Sequence, residues 1–579
     1  MGTMSLFKRL VFVLLSLSTP LYAQEQKGIL VKGKKVTATI AAGQQHIYQV
    51  HLEKNQFALV RIVQHGADVK VNTYDQKGRP IGEFDGANGN SGPEEATLIS
   101  VEKASYRISV TAQWTGGDRP YYELTLATVR SKAANTAGRI DELMAAFDDP
   151  RSPGAAVAVL KGGKLVFEKA YGMADLEHHI PLRTTTPQQI GSITKSFTNY
   201  CMFLLEKAGK LSMDDDIRQY IPELPDFGHR ITLRQISQHT SGLRDYATLR
   251  GMARYEIDTW EMFFKMLARQ HDLNFVPGED VLYSNTGCTL FAVIIQRLSG
   301  QSYAQFVKQH IFDPLGMQSS AVQTEQGQLL PGIAASYDRT ANGPKKLYVL
   351  GDLYGGTGVI STARDMAIWA KHLLHPKTNA DIIHKMASPG KLNDGTLTTF
   401  GSGLMIADHQ GHLELGHSGA VAGFKAHVGI FPDDDIAVVY LANNNDVNSR
   451  PIARQIAELY FSSKGKTSTA RKLVSAASQK TAPAPEPVDK SQLVLSEYTG
   501  LFYSDEVPTS YWFKVIDGQL VIQPGYNSDM KLTPESKDRF SGAFDGTVEF
   551  SRDSLGHISG CRFTFPRMRN LYFRKLPVN

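Results

Sequence analysis

QQIGSITKSFTNYCMFLLEKAG, residues 188–209, places a serine and a lysine three positions apart, Ser192 and Lys195, at the mouth of an apolar run. Three positions along a helical turn bring both side chains to one face, so the amine can lie beside the hydroxyl. The run that follows carries Phe197, Met202, Phe203, Leu204 and Leu205 and is apolar over most of its circumference. That pattern predicts a helix buried at the centre of a domain. Two readings of Ser192 compete. As a helix cap its hydroxyl would satisfy a free backbone N–H. As a nucleophile it would need a neighbouring base or positive field during attack, and the positive end of the helix dipole would favour the developing charge.

On either side of this helix the sequence predicts a matching pair of hairpins. GAAVAVLKGGKLVFEKAYG, residues 154–172, turns at Gly162 and Gly163, and FKAHVGIFPDDDIAVVYLANN, residues 424–444, turns at Pro432 to Asp435. Antiparallel strands at both ends of one domain must find partners, and one sheet built from both hairpins, flanked by the helical middle, satisfies them. The central domain is therefore expected to be α/β (α+β), with its site between sheet and helices. Before it, residues 24–131 read as short alternating segments between turn signals, an all-β sandwich. After it, residues 465–490 are rich in Lys, Ser, Ala and Pro and read as a linker. Residues 491–579 resume as strands, with Asp517-Gly518 a strong hairpin signal, and read as a small β-barrel with Trp512 and Phe513 in its core.

Two further segments of the central domain carry chemistry. FVPGEDVLYSNTG, residues 275–287, brings Tyr283 and Asn285 to a loop just before a second apolar helix. A tyrosine beside a lysine charge can take up the serine proton, and an asparagine two residues on can hold a carbonyl or the lysine. The competing reading is a core tyrosine with an asparagine cap. LELGHSGAVAGF, residues 413–424, supplies His417 and Gly419 on the strand before the last hairpin. Gly419 would let a substrate backbone lie close to the strand, and the Ala420 amide could join that of Ser192 as an oxyanion hole.

In the order S-x-x-K, Y-x-N, H-x-G, these motifs resemble the serine β-lactamase and penicillin-recognising superfamily, in its class C β-lactamase and D,D-peptidase-like branch. The segments RITLRQISQHTSGLRDY, IFDPLGM and GGTGVISTARDMAIWAKHLL are similar to recurring stretches of that branch. The resemblance covers residues 138–464 as a β-lactamase/transpeptidase-like catalytic domain. The N-terminal sandwich looks like jelly-roll accessory domains of secreted peptidases, and the C-terminal barrel is similar to lipocalin-like modules appended to some members. It implies that Ser192 is acylated, that Lys195 assists its deprotonation, that Tyr283 shuttles the proton, and that Asn285 and His417 bind or polarise the substrate. Either Lys195 or Tyr283 can then be the formal base, since interacting groups titrate as a pair. The family's β-lactamases usually have lysine where His417 stands, and a group titrating near neutrality shifts the expectation toward a peptidase or esterase.

Composition bounds the rest. The chain has 579 residues, enough for three or four domains, and 62 basic residues against 57 acidic ones. That near balance offers no basic stripe for nucleic acid. Residues 1–23 combine Lys8 and Arg9 with a short apolar run and a cleavage position after Ala23, the pattern of a signal peptide, so a periplasmic or secreted protein without a retained membrane segment is expected. Cys201, Cys288 and Cys561 are too few and too widely spaced for a disulfide framework. Glu177-His178-His179 lacks a third metal ligand at useful spacing, His239 reads as structural, and no metal or cofactor is called for. The expected function is an exported serine hydrolase that forms a covalent acyl-enzyme on small peptides, in the manner of a D-aminopeptidase or D,D-carboxypeptidase. The alternatives are an esterase, a weak β-lactamase, or a non-catalytic envelope scaffold. Oligomeric state is not encoded in any of these features.

Overall fold

The computed structural model describes residues 24–84, 91–115, 119–253, 259–340, 343–445, 447–461, 493–523, 529–543 and 546–577. The expected signal peptide, residues 1–23, and the expected linker, residues 465–490, lie outside the described residues. The chain divides into two compact units, Met1–Ala134 with Arg339–Gly343, and Asn135–Asp338 with Pro344–Asn579. The central domain and the C-terminal barrel thus belong to one unit.

In the first unit a five-stranded sheet runs in the order Gln24–Ile29, Gln45–Leu52, Ala104–Thr115, Ala67–Tyr74, Pro80–Phe84. A four-stranded sheet runs Lys35–Thr39, Tyr121–Ser131, Gln56–His65, Ser91–Ile99. Alternation along the strands puts Tyr48, Val50, Val60, Ile62, Val71 and Leu124 into one shared apolar core, as a sandwich requires.

The second unit is built on a six-stranded antiparallel sheet. Its strands are β1 (Ala155–Lys161), β2 (Lys164–Tyr171), β3 (Met405–His409), β4 (His412–Val421), β5 (Phe424–Phe431) and β6 (Ile436–Ala442), in the order β2-β1-β6-β5-β4-β3. The two hairpins at the ends of the domain join through β1 and β6, with Val157 opposite Tyr440. Gly162 and Gly163, both at positive φ, make the first turn as the sequence requires. One face, with Ala156, Ala158, Val428 and Val439, meets the helical core. The other, with Val157, Val159, Val438 and Tyr440, meets α1 (Thr136–Leu143) and its partner helix from the end of the domain, Ser449–Glu458. At the centre of the helical side lies α2 (Thr194–Lys207), buried over most of its length, beside α3 (Thr286–Ser299). Trp369, from α4 (Ala363–Leu374), stacks on Phe197 at 4.3 Å and donates to Ser196 Oγ at 3.0 Å, so α2 is fixed from behind; Ser449–Glu458 is α5.

Nine strands make the C-terminal module: β7 (Gly500–Ser504), β8 (Thr509–Ile516), β9 (Gln519–Gln523), β10 (Met530–Lys531), β11 (Thr533–Ser536), β12 (Arg539–Ala543), β13 (Gly546–Arg552), β14 (Ile558–Phe565) and β15 (Met568–Leu576). They form one sheet, β10-β9-β8-β7-β15-β14-β13-β12-β11, that curls into a nearly closed barrel. The edge strand β10 comes up against β12, where Gly542 lies so close to the Lys531 carbonyl that a Cβ would sit 2.6 Å from it. Asp517 and Gly518 both take positive φ in the β8–β9 turn. The pleat separates the two aromatics expected in the core: Phe513 is buried inside, whereas Trp512 points outward and is 38% exposed. One continuous apolar cluster runs from the helices around α2 into the barrel interior. All three cysteines are buried free thiols.

Candidate active site

Ser192 sits in a single 3-10 turn, Gly191–Ile193, that leads into α2. Neither this turn nor α2 carries a side-chain cap, so the capping reading of Ser192 does not hold. The hydroxyl instead accepts a hydrogen bond from Lys195 Nζ at 3.1 Å. Lys195 is fully buried, and Nζ has two more acceptors, Asn285 Oδ1 at 2.7 Å and the Gly356 carbonyl at 2.8 Å. An ammonium has three N–H bonds and no lone pair, so these three oxygens satisfy it completely.

The Gly356 and Asn285 oxygens are themselves held. Thr198 Oγ1 donates to the Gly355 carbonyl at 2.7 Å, and the Val359 amide donates to Thr194 Oγ1 at 3.2 Å, which ties the 355–359 loop to α2. Asn285 begins α3 without capping it. Its amide group is used differently, donating to the Asp245 carboxylate at 3.0 Å, while its backbone N–H donates to the same carboxylate at 2.7 Å. That pair fixes the orientation of Asn285, with Oδ1 turned to the lysine. Asp245 is 1% exposed, and burial pushes its pKa up against the Asn285 hydrogen bonds and the Arg567 and Lys195 charges, which pull it down.

The Tyr283 ring centroid lies 4.9 Å from Lys195 Nζ. His239, at positive φ, packs against that ring at 4.5 Å and its Nδ1 accepts the Ser284 N–H at 3.3 Å, the structural role expected for it. Phe400 and His417 complete the surround at 6.1 and 6.0 Å. His417 is 4% exposed and its Nδ1–H donates to the Ser418 carbonyl at 2.6 Å. That assigns the other ring nitrogen, Nε2, as an acceptor, and among the described residues it is buried without a partner. Burial first, and the Lys195 charge second, lower the His417 pKa to about 3. The third motif therefore carries no charge at neutral pH, a correction to its expected titration near neutrality.

Gly419 is required by its own chain. A Cβ there would lie 1.9 Å from the Ile190 carbonyl, and one on Gly191 would lie 2.6 Å from the Ala420 nitrogen. Two glycines thus let β4 and the turn bearing Ser192 meet backbone to backbone, which sets the Ala420 amide beside the serine. The close neighbour expected for Gly419 was a substrate; it is Ile190. Beyond Gly416, β4 has no partner on the β3 side among the described residues, because β3 pairs only from His412 to Gly416. Behind this stretch, Ser418 Oγ meets His427 Nδ1 at 2.9 Å, and His427 Nε2 meets Glu414 at 3.0 Å. Arg450 and Arg454 of α5 hold the same carboxylate at 2.8 and 2.5 Å.

Ser192, Lys195, Tyr283, Asn285, His417, Gly419 and Ala420 thus converge on one place. Sequence reasoning missed Asp245, the Gly356 carbonyl and Arg567, whose guanidinium carbon lies 4.9 Å from the Tyr283 ring centroid. Asp245 and Gly356 each sat inside a segment already singled out for its family likeness; nothing in the local pattern marked Arg567. Away from this site, Asp175, Glu177 and His178 place donor atoms within 4.8 Å of one another, but Lys346 already pairs with both carboxylates.

Comparison with known proteins identifies the family of this domain. Residues 137–461 match the family described as Beta-lactamase. Penicillin-binding protein 4* of Bacillus subtilis strain 168 is 28% identical over 313 residues, 50% of this chain and 68% of that protein. A D-aminopeptidase of Brucella anthropi is 26% identical over 308 residues, 51% of this chain; the match spans little more than half of that relative, 56%. The octameric penicillin-binding protein homologue from Pyrococcus abyssi aligns over 76% of this chain and 98% of its own, at 23% identity and a TM-score of 0.49. With more than half of its length matched from α1 through α5, the chain belongs to the beta-lactamase family of hydrolases.

Proposed function

We propose that this protein is a serine hydrolase that acylates Ser192 and cleaves amide bonds in small peptides. The observation that carries the reading is the buried Lys195 ammonium, held 3.1 Å from Ser192 Oγ with its other two N–H bonds taken by Asn285 and Gly356. In its charged form this lysine uses all three N–H bonds and has no lone pair to offer. It acts as a fixed positive charge that stabilises the alkoxide, and Tyr283, whose ring faces that charge, takes the serine proton. Attack forms the bond from Ser192 Oγ to the substrate carbonyl, and the oxyanion is received by the Ser192 and Ala420 amides. Tyr283 then returns the proton to the leaving nitrogen as its bond to the acyl carbon breaks. Water hydrolyses the acyl-enzyme by the reverse use of the same groups.

A peptide substrate is supported by the unpaired stretch of β4, where an extended backbone can add as a strand. It is also supported by His417 Nε2, a buried acceptor that a substrate N–H would satisfy. D-residue peptides are the favoured class, since relatives of this chain include D-aminopeptidases. Export through the N-terminal segment belongs to the same proposal. The chemistry is tested by intact mass after treatment with a fluorophosphonate. One adduct on the wild type and none on Ser192→Ala is expected; no adduct, or an equal one on both, refutes the assignment.

A further inference from the structure

We infer that Arg567, delivered by the last hairpin of the barrel onto the Tyr283 ring, is a specificity-determining residue that pairs with a carboxylate on the leaving-group side of the scissile bond. The inference rests on the acyl-serine reading above and goes beyond it by naming what the leaving group must carry.

Arg567 lies in the two-residue turn between β14 and β15, where Phe565 pairs with Met568. That turn is clamped to the catalytic domain. Met568 is fully buried, the Arg569 backbone N–H donates to Asn274 Oδ1 at 2.7 Å, and the Arg569 guanidinium pairs with Asp280 at 2.7 Å. One turn further, the Asn570 carbonyl accepts from Arg244 at 3.1 Å. A cation at the tip of a hairpin fastened on three sides is held in place.

Its surroundings leave it available. Of the groups touching Tyr283, Lys195 is saturated by Ser192, Asn285 and Gly356, and His239 and His417 are buried neutral rings. Arg569 and Arg244, the neighbouring arginines, are paired with Asp280 and Glu506. Arg567 is exposed, stacks on the ring at 4.9 Å, and makes no hydrogen bond or ion pair among the described residues. Asp245 is a carboxylate that feels the Arg567 charge, and its oxygens are committed to Asn285. The site is therefore net positive around Tyr283, with one planar fork of N–H donors unused, the geometry that recognises carboxylates in bidentate fashion.

Tyr283 hands its proton to the leaving nitrogen, so whatever is attached to that nitrogen lies against the tyrosine and under Arg567. In a peptide cleaved at its last bond, the leaving nitrogen belongs to an amino acid whose free carboxylate is two bonds away. The preferred substrates accordingly end one residue past the scissile bond, a carboxypeptidase pattern. The third motif no longer supplies a cation, and the barrel supplies one in its place.

The test measures protection of Ser192 against fluorophosphonate labelling by N-acetyl-D-alanyl-D-alanine and by its C-terminal amide, which differ only in the carboxylate. On the full-length wild type the free acid should protect at a concentration lower than the amide by ~10- to 100-fold, as a charge-assisted pair implies. Arg567→Ala should bring that ratio to about one. Arg567→Lys should retain part of it, and Arg567→Glu should invert it. Equal protection by acid and amide on the wild type, or an unchanged ratio in Arg567→Ala, overturns the inference while the adduct on Ser192 keeps the hydrolase reading standing, and leaves Arg567 as ring packing only. Absence of any adduct overturns both.

Discussion

The ion pair between Arg244 and Glu506 offers a quantitative test of how the barrel is joined to the catalytic domain. Arg244 precedes Asp245 in the loop that holds Asn285, and Glu506 lies in the barrel between β7 and β8. Their side chains are 1% and 4% exposed. Among the described residues, Glu506→Leu leaves the buried Arg244 guanidinium with the Gln270 and Asn570 oxygens as partners, both at 3.1 Å. It also removes the acceptor of the His271 N–H at 2.9 Å. Breaking a buried pair from one side costs about 3–5 kcal/mol, because the remaining charge is stranded. The unit contains about 440 residues, and unfolding entropy near 2.1 cal/mol/K per residue converts that loss into a fall in Tm of about 3–5 °C. The double variant Arg244→Met with Glu506→Leu removes both charges and strands neutral partners alone, so its loss should shrink to about 1–2 kcal/mol. Thermal unfolding of the four proteins of the cycle, scanned at one rate, reads the coupling. A fall below about 0.5 °C in Glu506→Leu would refute the reasoning, and so would a double variant whose loss equals the sum of the singles.

Two further expectations concern β4. The His417 pKa of about 3 means that the folded value is depressed below the unfolded one, near 6.5. Its contribution to stability is present above that unfolded value and is lost as pH falls through it toward about 3. Between pH 5 and 8 His417 should stay neutral, which deuterium exchange at its ring carbon read by mass spectrometry can show; a midpoint between pH 6 and 7.5 contradicts the burial argument. Gly419→Ala forces a methyl onto the Ile190 carbonyl, 1.9 Å away. It should destabilise the fold by about 1–3 kcal/mol, and by displacing the Ala420 amide slow the fluorophosphonate reaction ~100-fold. A variant labelled at the wild-type rate would show that this amide takes no part.

Much of the architecture was legible because its signals are local or follow from pairing. Gly162-Gly163 and Asp517-Gly518 mark turns whose backbone needs positive φ, and the hairpins at both ends of the domain pair with each other through β1 and β6. The motif residues were legible for the same reason: a spacing of three on a helix decides which side chains meet. What the pattern misjudged depends on competition for partners. Ser192 and Asn285 both stand at helix starts, where serine and asparagine normally cap, yet Lys195 captures the oxygen of each. The state of His417 follows from burial, which its neighbours in sequence do not reveal. Trp512 and Phe513 looked equivalent as aromatics, and only the pleat of β8 divides them between outside and core. Arg567 was invisible for a different reason, since an arginine in a polar hairpin turn has the signature of solvated surface until tertiary structure sets it over Tyr283.

Arg244 and Asp245 are adjacent, carry opposite charges, and face opposite ways. Arg244 turns toward the barrel, to Glu506 and the Asn570 carbonyl, while Asp245 turns toward the serine through Asn285 and Lys195. The peptide between them is fastened by Thr286, whose hydroxyl donates to the Arg244 carbonyl at 2.7 Å and accepts the Tyr246 N–H at 2.8 Å. With so few free torsions, the position of the Asp245 carboxylate is fixed jointly by barrel docking and by the start of α3. An appendage that merely decorated the domain would leave the catalytic loop satisfied without it. Here a buried guanidinium at the root of that loop has its charged partner in the barrel, and the apolar core runs on without a break between the two. The geometry around Ser192 is accordingly a property of the central domain and barrel together, and the turn that carries Arg567 reaches Tyr283 as a consequence of the same docking.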